Sequence, residues 1–433
     1  MRVAAHTLGC KLNFAETSHL LRQMEERGHS IVDYRHEADL YIINTCTVTA
    51  IAERKCRNAI RQAVRQNPKA QVAVIGCFAS TERSQIEKIK GVTLILDNQE
   101  KHQLPDIVEN RTTKAGQNTE NAAIAESHRE GFGAFAPAWS STDRTRAFLK
   151  IQDGCDYFCS YCAIPLARGR SRSSTIEQVT AMARECAQTG ANEIVLTGVN
   201  TGTFGQQTGE SLLDLIKELD KLQEVKRYRI SSIEPNLITE DIIDFIAQSR
   251  AFLPHFHIPL QAGSDAVLRI MHRRYDTSLF RQRVEYIKHR MPDACIAADI
   301  IAGMNGETDD DFNQGKAYVE SLPLSYLHVF TYSERPHTAA LKLTPRTDMP
   351  TRRQRSQELH TISERKMAAF VESQMGKVRS VLWESSNHNG KMHGLTDNYI
   401  RLERVYNQSF INTITNETIS RENIANGLDF YEQ

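Results

Sequence analysis

Nine cysteines stand in a chain of 433 residues, and three of them, Cys155, Cys159 and Cys162, fall close together in the run DGCDYFCSYCAIP. That spacing offers three thiolates to one metal assembly. Three thiolates ligate three irons of a [4Fe-4S] cluster and leave the fourth iron without a protein ligand, open to a substrate or cosubstrate. Zinc usually recruits a fourth Cys or His at characteristic spacing, and none lies near in the sequence. Cys10, Cys46 and Cys77 form a second set, each placed just after a strand-like segment. Cys56, Cys186 and Cys295 fall inside helix-like or strand-like stretches, away from both sets, and read as packing residues.

Placing these residues requires two alternating α/β units. Residues 1–110 read βαβαβα, with strand-like Val3–Leu8, Leu40–Asn44, Val72–Ile75 and Thr93–Leu96 separated by amphipathic stretches. Right-handed crossovers between parallel strands put every βα loop at one sheet edge, so this open parallel domain brings Cys10, Cys46 and Cys77 together. The alternative is three small residues buried at strand ends. Residues 111–144 turn polar and small and read as a linker whose Phe132, Phe135 and Trp139 are candidates to dock on a neighbour. Residues 145–345 repeat strand and helix six times, too few for a closed eight-fold barrel, which predicts an open partial (β/α)6 barrel with its site at the strand C-termini. Residues 346–371 form a basic helical connector through Arg352, Arg353 and Arg355. Residues 372–433 carry short alternating segments broken by Asn and Gly, a small all-β module.

Composition narrows the class. Lys+Arg and Asp+Glu both number 53, so a polyanion site must arise from local clustering rather than net charge. Arg168, Arg170 and Arg172 form such a cluster just beyond the three-cysteine loop, suited to phosphates or otherwise a solvated charge run. No run approaches the roughly 18 apolar residues that span a bilayer, and MRVAAHTLGC has no apolar stretch like that of a signal peptide. A cytoplasmic protein with no membrane partner is expected, and its thiols are expected to serve metal or redox chemistry rather than disulfides.

The Cys155/Cys159/Cys162 motif resembles the radical S-adenosylmethionine (SAM) signature. The resemblance implies that the open iron chelates SAM and that one electron from the cluster cleaves it to a 5′-deoxyadenosyl radical. By motif position it also implies SAM contacts from Tyr161, Gly198 after the second barrel strand, Glu234 after the third and Gln261 after the fourth. TLGCKLNFAET, INTCTVT and VIGC, read with the barrel and the final β module, look like the methylthiotransferases over nearly the whole chain. That likeness implies an auxiliary [4Fe-4S] cluster on Cys10, Cys46 and Cys77, making six catalytic and metal-binding cysteines in all, and a C-terminal TRAM module that binds substrate. Removing this module is expected to weaken tRNA binding and leave both clusters in place.

Thr47-Val48-Thr49 and the Leu166–Ser173 segment look like the branch acting on N6-threonylcarbamoyladenosine in tRNA. The implied partners are a tRNA anticodon stem-loop and a flavodoxin- or ferredoxin-like electron donor, with the sulfur source unspecified. Arg168, Arg170, Arg172, Arg273 and Arg274 are the candidate substrate ligands, for phosphate or for the threonylcarbamoyl carboxylate. Rival readings are a methylthiotransferase for isopentenyladenosine tRNA or for a ribosomal-protein aspartate, and a noncatalytic iron-sulfur RNA-binding or redox-sensing protein. Two segments depart from the family pattern: Ile301–Glu307, and Pro336-His337-Thr338, where His stands in place of the usual Gly.

Overall fold

The structure, a computed structural model, describes residues 1–114, 134–140 and 145–425. Phe132 and much of the expected linker lie outside the described residues. In the N-terminal domain, β1 (Arg2–Thr7), β2 (Ser30–Val32), β3 (Leu40–Thr45), β4 (Gln71–Gly76) and β5 (Leu94–Leu96) make a sheet in the order β2-β1-β3-β4-β5, every pair parallel. Every residue of β3 is buried, as a central strand covered on both faces requires. Helices α1 (Lys11–Glu26) and α2 (Ala50–Gln66) follow β1 and β3, and the one-turn α3 (Cys77–Thr81) follows β4. Because β1, β3 and β4 are neighbours, their cysteine-bearing loops emerge side by side. Strand β2 escaped the sequence pattern because its three residues are too few to show a period.

The barrel begins within the stretch expected to be a linker. There β6 (Ala138–Trp139) pairs antiparallel with β7 (Arg146–Lys150), and the Arg22 guanidinium lies 3.7 Å from the centroid of the buried Trp139 ring. A two-stranded ribbon of β8 (Gln152–Asp153) and β9 (Arg172–Ser173) frames the cysteine loop. Strands β10 (Glu193–Thr197), β11 (Arg227–Ile230), β12 (His255–His257), β13 (Cys295–Ala302) and β14 (Tyr326–Thr331) continue from β7, six parallel strands in sequence order. Between β11 and β12 the tie is the Tyr228–Phe252 bridge. Ala147, Leu149, Ile194 and Leu196 point outward into the main core, so alternation turns Arg146, Phe148, Lys150 and Val195 inward. Helix α1 closes the open side, with Phe14 and Ala15 packed on Phe148 and Val195.

Helix α5 (Met349–Ser373; α4, Ile164–Arg168, follows the cysteine loop) packs along β13 and β14 and leads into an antiparallel sheet. Its strands β15 (Val378–Trp383), β16 (Lys391–Thr396), β17 (Arg401–Val405) and β18 (Ile414–Thr418) run in the order β17-β16-β15-β18. This module plugs the barrel floor and is not merely tethered to it. Cys295, Ala297 and Tyr326 share a core with Val381, Trp383 and Leu402. Arg229 donates to the carbonyls of Thr396 (2.7 Å) and Asp397 (2.9 Å), and Arg227 to that of Leu395 (3.4 Å). The packing argues against a freely removable module, because truncation would take backbone acceptors from two buried guanidinium groups and uncover apolar side chains.

A buried ionic network joins the first domain to the barrel. Glu16 on α1 accepts from Lys101, from Lys150 of β7 (2.8 Å) and from Arg168 of α4 (3.2 Å), while Asp153 binds Lys150 (2.8 Å), Arg168 (2.8 Å) and Arg172 (3.0 Å). Arg168 also donates to Asn13 Oδ1 at 2.5 Å and is 1% exposed. Burial alone raises both carboxyls, and the surrounding cations, Arg168 first, outweigh it and hold Glu16 and Asp153 well below the usual carboxylate range. Their stabilisation is complete above the unfolded carboxylate value of about 4 and is lost only as pH falls through the depressed values.

Two outcomes follow from this packing. Arg168→Ala removes a buried guanidinium paired with both Glu16 and Asp153, which keep Lys101, Lys150 and Arg172, and is expected to cost about 1.5–3 kcal/mol, measured by denaturant unfolding, whereas the exposed Arg170→Ala should stay within about 0.5 kcal/mol. Equal stability of both variants would return Arg168 to a substrate role. Deletion from Gly376 onward is expected to make the barrel protease-sensitive and to lower its iron content, and a truncated chain with full iron and intact resistance would restore the separable module.

Candidate active site

Cys155 follows β8, and its amide donates to the Gly169 carbonyl (3.1 Å). The turn before it requires Gly154, at φ +70, where a Cβ would stand 2.0 Å from the Arg170 carbonyl oxygen. Gln152 braces the loop by donating to the Gly154 carbonyl (2.7 Å) and to Ser171 (3.0 Å). Each sulfur accepts a hydrogen bond: Cys155 from the Tyr157 amide (3.4 Å), Cys162 from the Ile164 amide (3.4 Å) and Cys159 from Arg273 Nη1 (3.0 Å). Burial pushes the Cys155 thiol up to about 11 and that of Cys162 up to about 12. Left alone these thiols stay protonated, and a bound metal is what draws off the protons. Three thiols aimed together, each with an N–H partner, fit a cluster with one open iron.

The second triad has the same logic on a different sheet. Cys10 caps α1, Cys46 follows β3 and Cys77 opens α3. Gly76, at φ +94, permits the turn into Cys77, since a Cβ there would lie 2.3 Å from Asn44 Oδ1. A Cβ on Gly9 would approach Cys46 Sγ to 3.3 Å, so the first and second loops touch. Burial pushes Cys46 up to about 12, with Cys77 and Cys10 adding to the effect. Cys77 accepts from Asn98 Nδ2 (3.4 Å), and the same amide donates to the Ala167 carbonyl (2.8 Å) of α4. This triad too fits a three-thiolate cluster. Cys56, expected to lie away from both sets, touches one: its sulfur accepts from the Cys46 amide (3.3 Å). Cys186 and Cys295 are buried in core clusters, as expected.

Packing of α3 on α4 brings the two cysteine loops close, and a cavity of about 300 Å³ opens over the barrel triad. Cys155, Cys159, Cys162, Tyr161, Glu234, Gln261 and Arg273 line it, together with Val48 and Thr49 from the loop after Cys46. Gly198 packs on Gln152 instead, leaving Val199 and Asn200 to face the cavity. Gln261 is held at φ +66 because its backbone carries the β13 pairing onward, donating to Asp299 O (2.8 Å) and accepting from Ile301 N (2.9 Å). Arg273 forms an ion pair with Glu234 and also donates to Tyr161 Oη (3.3 Å). Burial raises the Glu234 carboxyl while Arg273 pulls it down.

The arginine cluster is corrected. Arg168 and Arg172 are buried in the network at Glu16 and Asp153 and cannot meet a substrate without breaking it, and of the three only Arg170 is exposed. Arg274 lies outside the cavity lining, its guanidinium 4.2 Å from the centroid of the Tyr157 ring. The residue that sequence reasoning missed is Arg335. It is ion-paired to the buried Glu53 of α2 and lines both the 300 Å³ cavity and a second groove of about 600 Å³ containing Thr81, Leu166 and His337. Its signal was Glu53, a charge on the buried face of an amphipathic helix.

Comparison with known proteins agrees with this geometry. Residues 2–97 match the uncharacterized protein family UPF0004 and residues 149–314 the radical SAM superfamily. The chain is 35% identical to the threonylcarbamoyladenosine tRNA methylthiotransferase MtaB of Bacillus subtilis, over 92% of this chain and 89% of the relative. It is 34% identical to the MtaB of Aquifex aeolicus (93% and 97%) and 30% identical to the tRNA-2-methylthio-N(6)-dimethylallyladenosine synthase of Bartonella henselae (91% and 88%). Among solved structures, the radical S-adenosylmethionine methyltransferase TsrM from Kitasatospora setae shares the fold with TM-score 0.55 at 14% identity, over 77% of this chain and 74% of that one. The chain belongs to the radical-SAM tRNA methylthiotransferase family.

Proposed function

We propose that this enzyme replaces the C2 hydrogen of N6-threonylcarbamoyladenosine, the base just 3′ of the anticodon, by a methylthio group, using two [4Fe-4S] clusters and SAM in the cytoplasm. The observation that carries this reading is a cavity lined by the whole barrel triad and by Val48 and Thr49, from the loop that begins at Cys46 of the second triad. When bound, the clusters and SAM supply one-electron chemistry, a methyl group and an iron site that holds sulfur.

The chain's own residues bind and orient. Tyr161, Glu234, Gln261 and Arg273 are the proposed SAM contacts, with Arg273 fixing Glu234 and hydrogen-bonding a cluster sulfur. A base drawn out of its stack needs an apolar seat, and Val48 and Phe330 line the cavity while remaining about half exposed (50% and 45%). Arg335, with its Nε buried and unpaired at the junction of cavity and groove, is the proposed donor to the threonylcarbamoyl carboxylate. Arg170 remains for phosphate. An electron donor of the flavodoxin or ferredoxin type would serve the barrel cluster. The sequence likeness supports this substrate over isopentenyladenosine, because the relatives at 34–35% identity carry the threonylcarbamoyl name and the dimethylallyl synthase stands at 30%.

Replacing Cys155, Cys159 and Cys162 with Ala is expected to leave about half the iron, since each triad holds one cluster, and to abolish SAM cleavage. Loss of all iron would indicate one shared site. Replacing Cys10, Cys46 and Cys77 should preserve reductive SAM cleavage to 5′-deoxyadenosine and eliminate methylthio product, measured by nucleoside mass spectrometry. Survival of product would remove the auxiliary triad from the chemistry.

For substrate choice, tRNA carrying threonylcarbamoyladenosine should be turned over with a preference of up to about 10⁴–10⁵ over isopentenyladenosine tRNA, because a site built to pair a carboxylate rejects a hydrocarbon analogue. Comparable turnover would refute the branch assignment and leave the family intact.

A further inference from the structure

The middle of the barrel holds polar side chains that the cysteine chemistry does not use. His257 on β12, Asp299 on β13 and His328 on β14 occupy three adjacent strands, with Asp299 directly opposite His328 in register. One ligand atom from each lies within 4.8 Å of the others. His257 Nε2 is 2.6 Å from Asp299 Oδ1, and its Nδ1 is 2.8 Å from Ser232 Oγ, so a hydroxyl fixes the ring and aims Nε2 at the carboxylate. A metal-binding imidazole is usually held through its second nitrogen in this way.

We propose that His257, Asp299 and His328 form a binding site for a borderline-soft divalent cation, zinc above all, beneath the floor of the SAM cavity. Two observations beyond the ligand geometry support it. First, His328 is short of partners: it makes edge-on ring contacts with His257 and Tyr326, and among the described residues nothing hydrogen-bonds it. His255, two residues before His257 on the same inward face, has both ring nitrogens buried without a partner and stacks on Tyr399 at 4.1 Å. Buried polar atoms left unpaired are rare and call for water or an ion. Second, these rings border a cavity of about 50 Å³, room for an ion with a water.

The charges around that cavity select the ion. Arg229 (2.7 Å) and Arg227 (3.3 Å) share Glu193 and Arg146 pairs with Glu384 (3.4 Å), so the Lys11 ammonium and a surplus guanidinium charge stand around the site against the Asp299 carboxylate. A hard cation such as Mg²⁺ or Ca²⁺, held by charge and oxygen ligands, gains little there. Zinc draws its affinity from imidazole nitrogen and tolerates the ammonium better. Asp299 also lines the SAM cavity, so an ion bound below would fix the carboxylate that SAM and substrate meet from above.

The test uses the full-length protein with both clusters loaded, titrated with Zn²⁺ against a chromophoric chelator. One equivalent is expected to bind, and His328→Gln and Asp299→Asn should each weaken it at least about 10-fold with iron content unchanged. No bound equivalent in the wild type, or undiminished binding in His328→Gln, overturns the proposal and leaves a hydrogen-bonded Ser232–His257–Asp299 chain. Should either variant lose its iron, zinc-edge X-ray absorption of the wild type decides, because iron does not contribute there. Nitrogen and oxygen neighbours at about 2.0–2.2 Å support the site, and sulfur at about 2.3 Å places the zinc on cysteines and overturns it.

Discussion

The separation of the two triads depends on one buried ionic contact: Arg168, carried by the helix after Cys162, clamped between Glu16 of the first domain and Asp153 of the barrel. A cavity between two domains keeps its width only if the domains cannot rock, and transient interdomain interfaces ordinarily allow that. Here the clamp is desolvated and Arg168 is 1% exposed, so rocking the domains apart would break paired buried charges. The network holds Lys101, Lys150, Arg168 and Arg172 against Glu16 and Asp153, an excess of cations. Arg168 also feels Cys10 and Cys77, so the surplus positive charge sits where three thiolates on iron would add negative charge. The contact that locks the domains would thus also favour loading of the proposed auxiliary site.

The second constraint is how the barrel is sealed. Six strands leave an open side and an open floor. Helix α1 fills the side with Phe14 and Ala15, and the C-terminal sheet fills the floor, with Tyr399 stacked on His255 inside the barrel. Tyr399 adopts φ +71 to do so, a left-handed conformation that costs a non-glycine residue about 1–3 kcal/mol and persists only where packing demands it. The sealed floor keeps His255 buried beneath the site, while Asp299 reaches the cavity that remains open at the top.

Much of the chemistry was legible in the sequence because it is local. The Cys155–Cys162 spacing, the three strand-end cysteines and the six-fold alternation each depend on neighbours in the chain or on crossover handedness. What stayed hidden was long-range pairing. Arg168-x-Arg170-x-Arg172 reads as a polyanion site until Glu16, 152 residues away, is seen to occupy it. The short strand at Ala138–Trp139 gives no periodic signal, and a four-stranded module looks self-contained until its open face is found under β11 and β13. Arg335 and Glu53, 282 residues apart, fall in the same class.

The central claim is that the two triads hold separate clusters near one another, at a separation fixed by the protein. Electron paramagnetic resonance of the fully reduced enzyme tests this most directly. Spin–spin broadening of the barrel cluster signal is expected, and it should vanish when Cys10, Cys46 and Cys77 are replaced. A spectrum equal to the sum of those of the two single-triad variants, with the barrel signal no narrower once Cys10, Cys46 and Cys77 are replaced, would contradict the account.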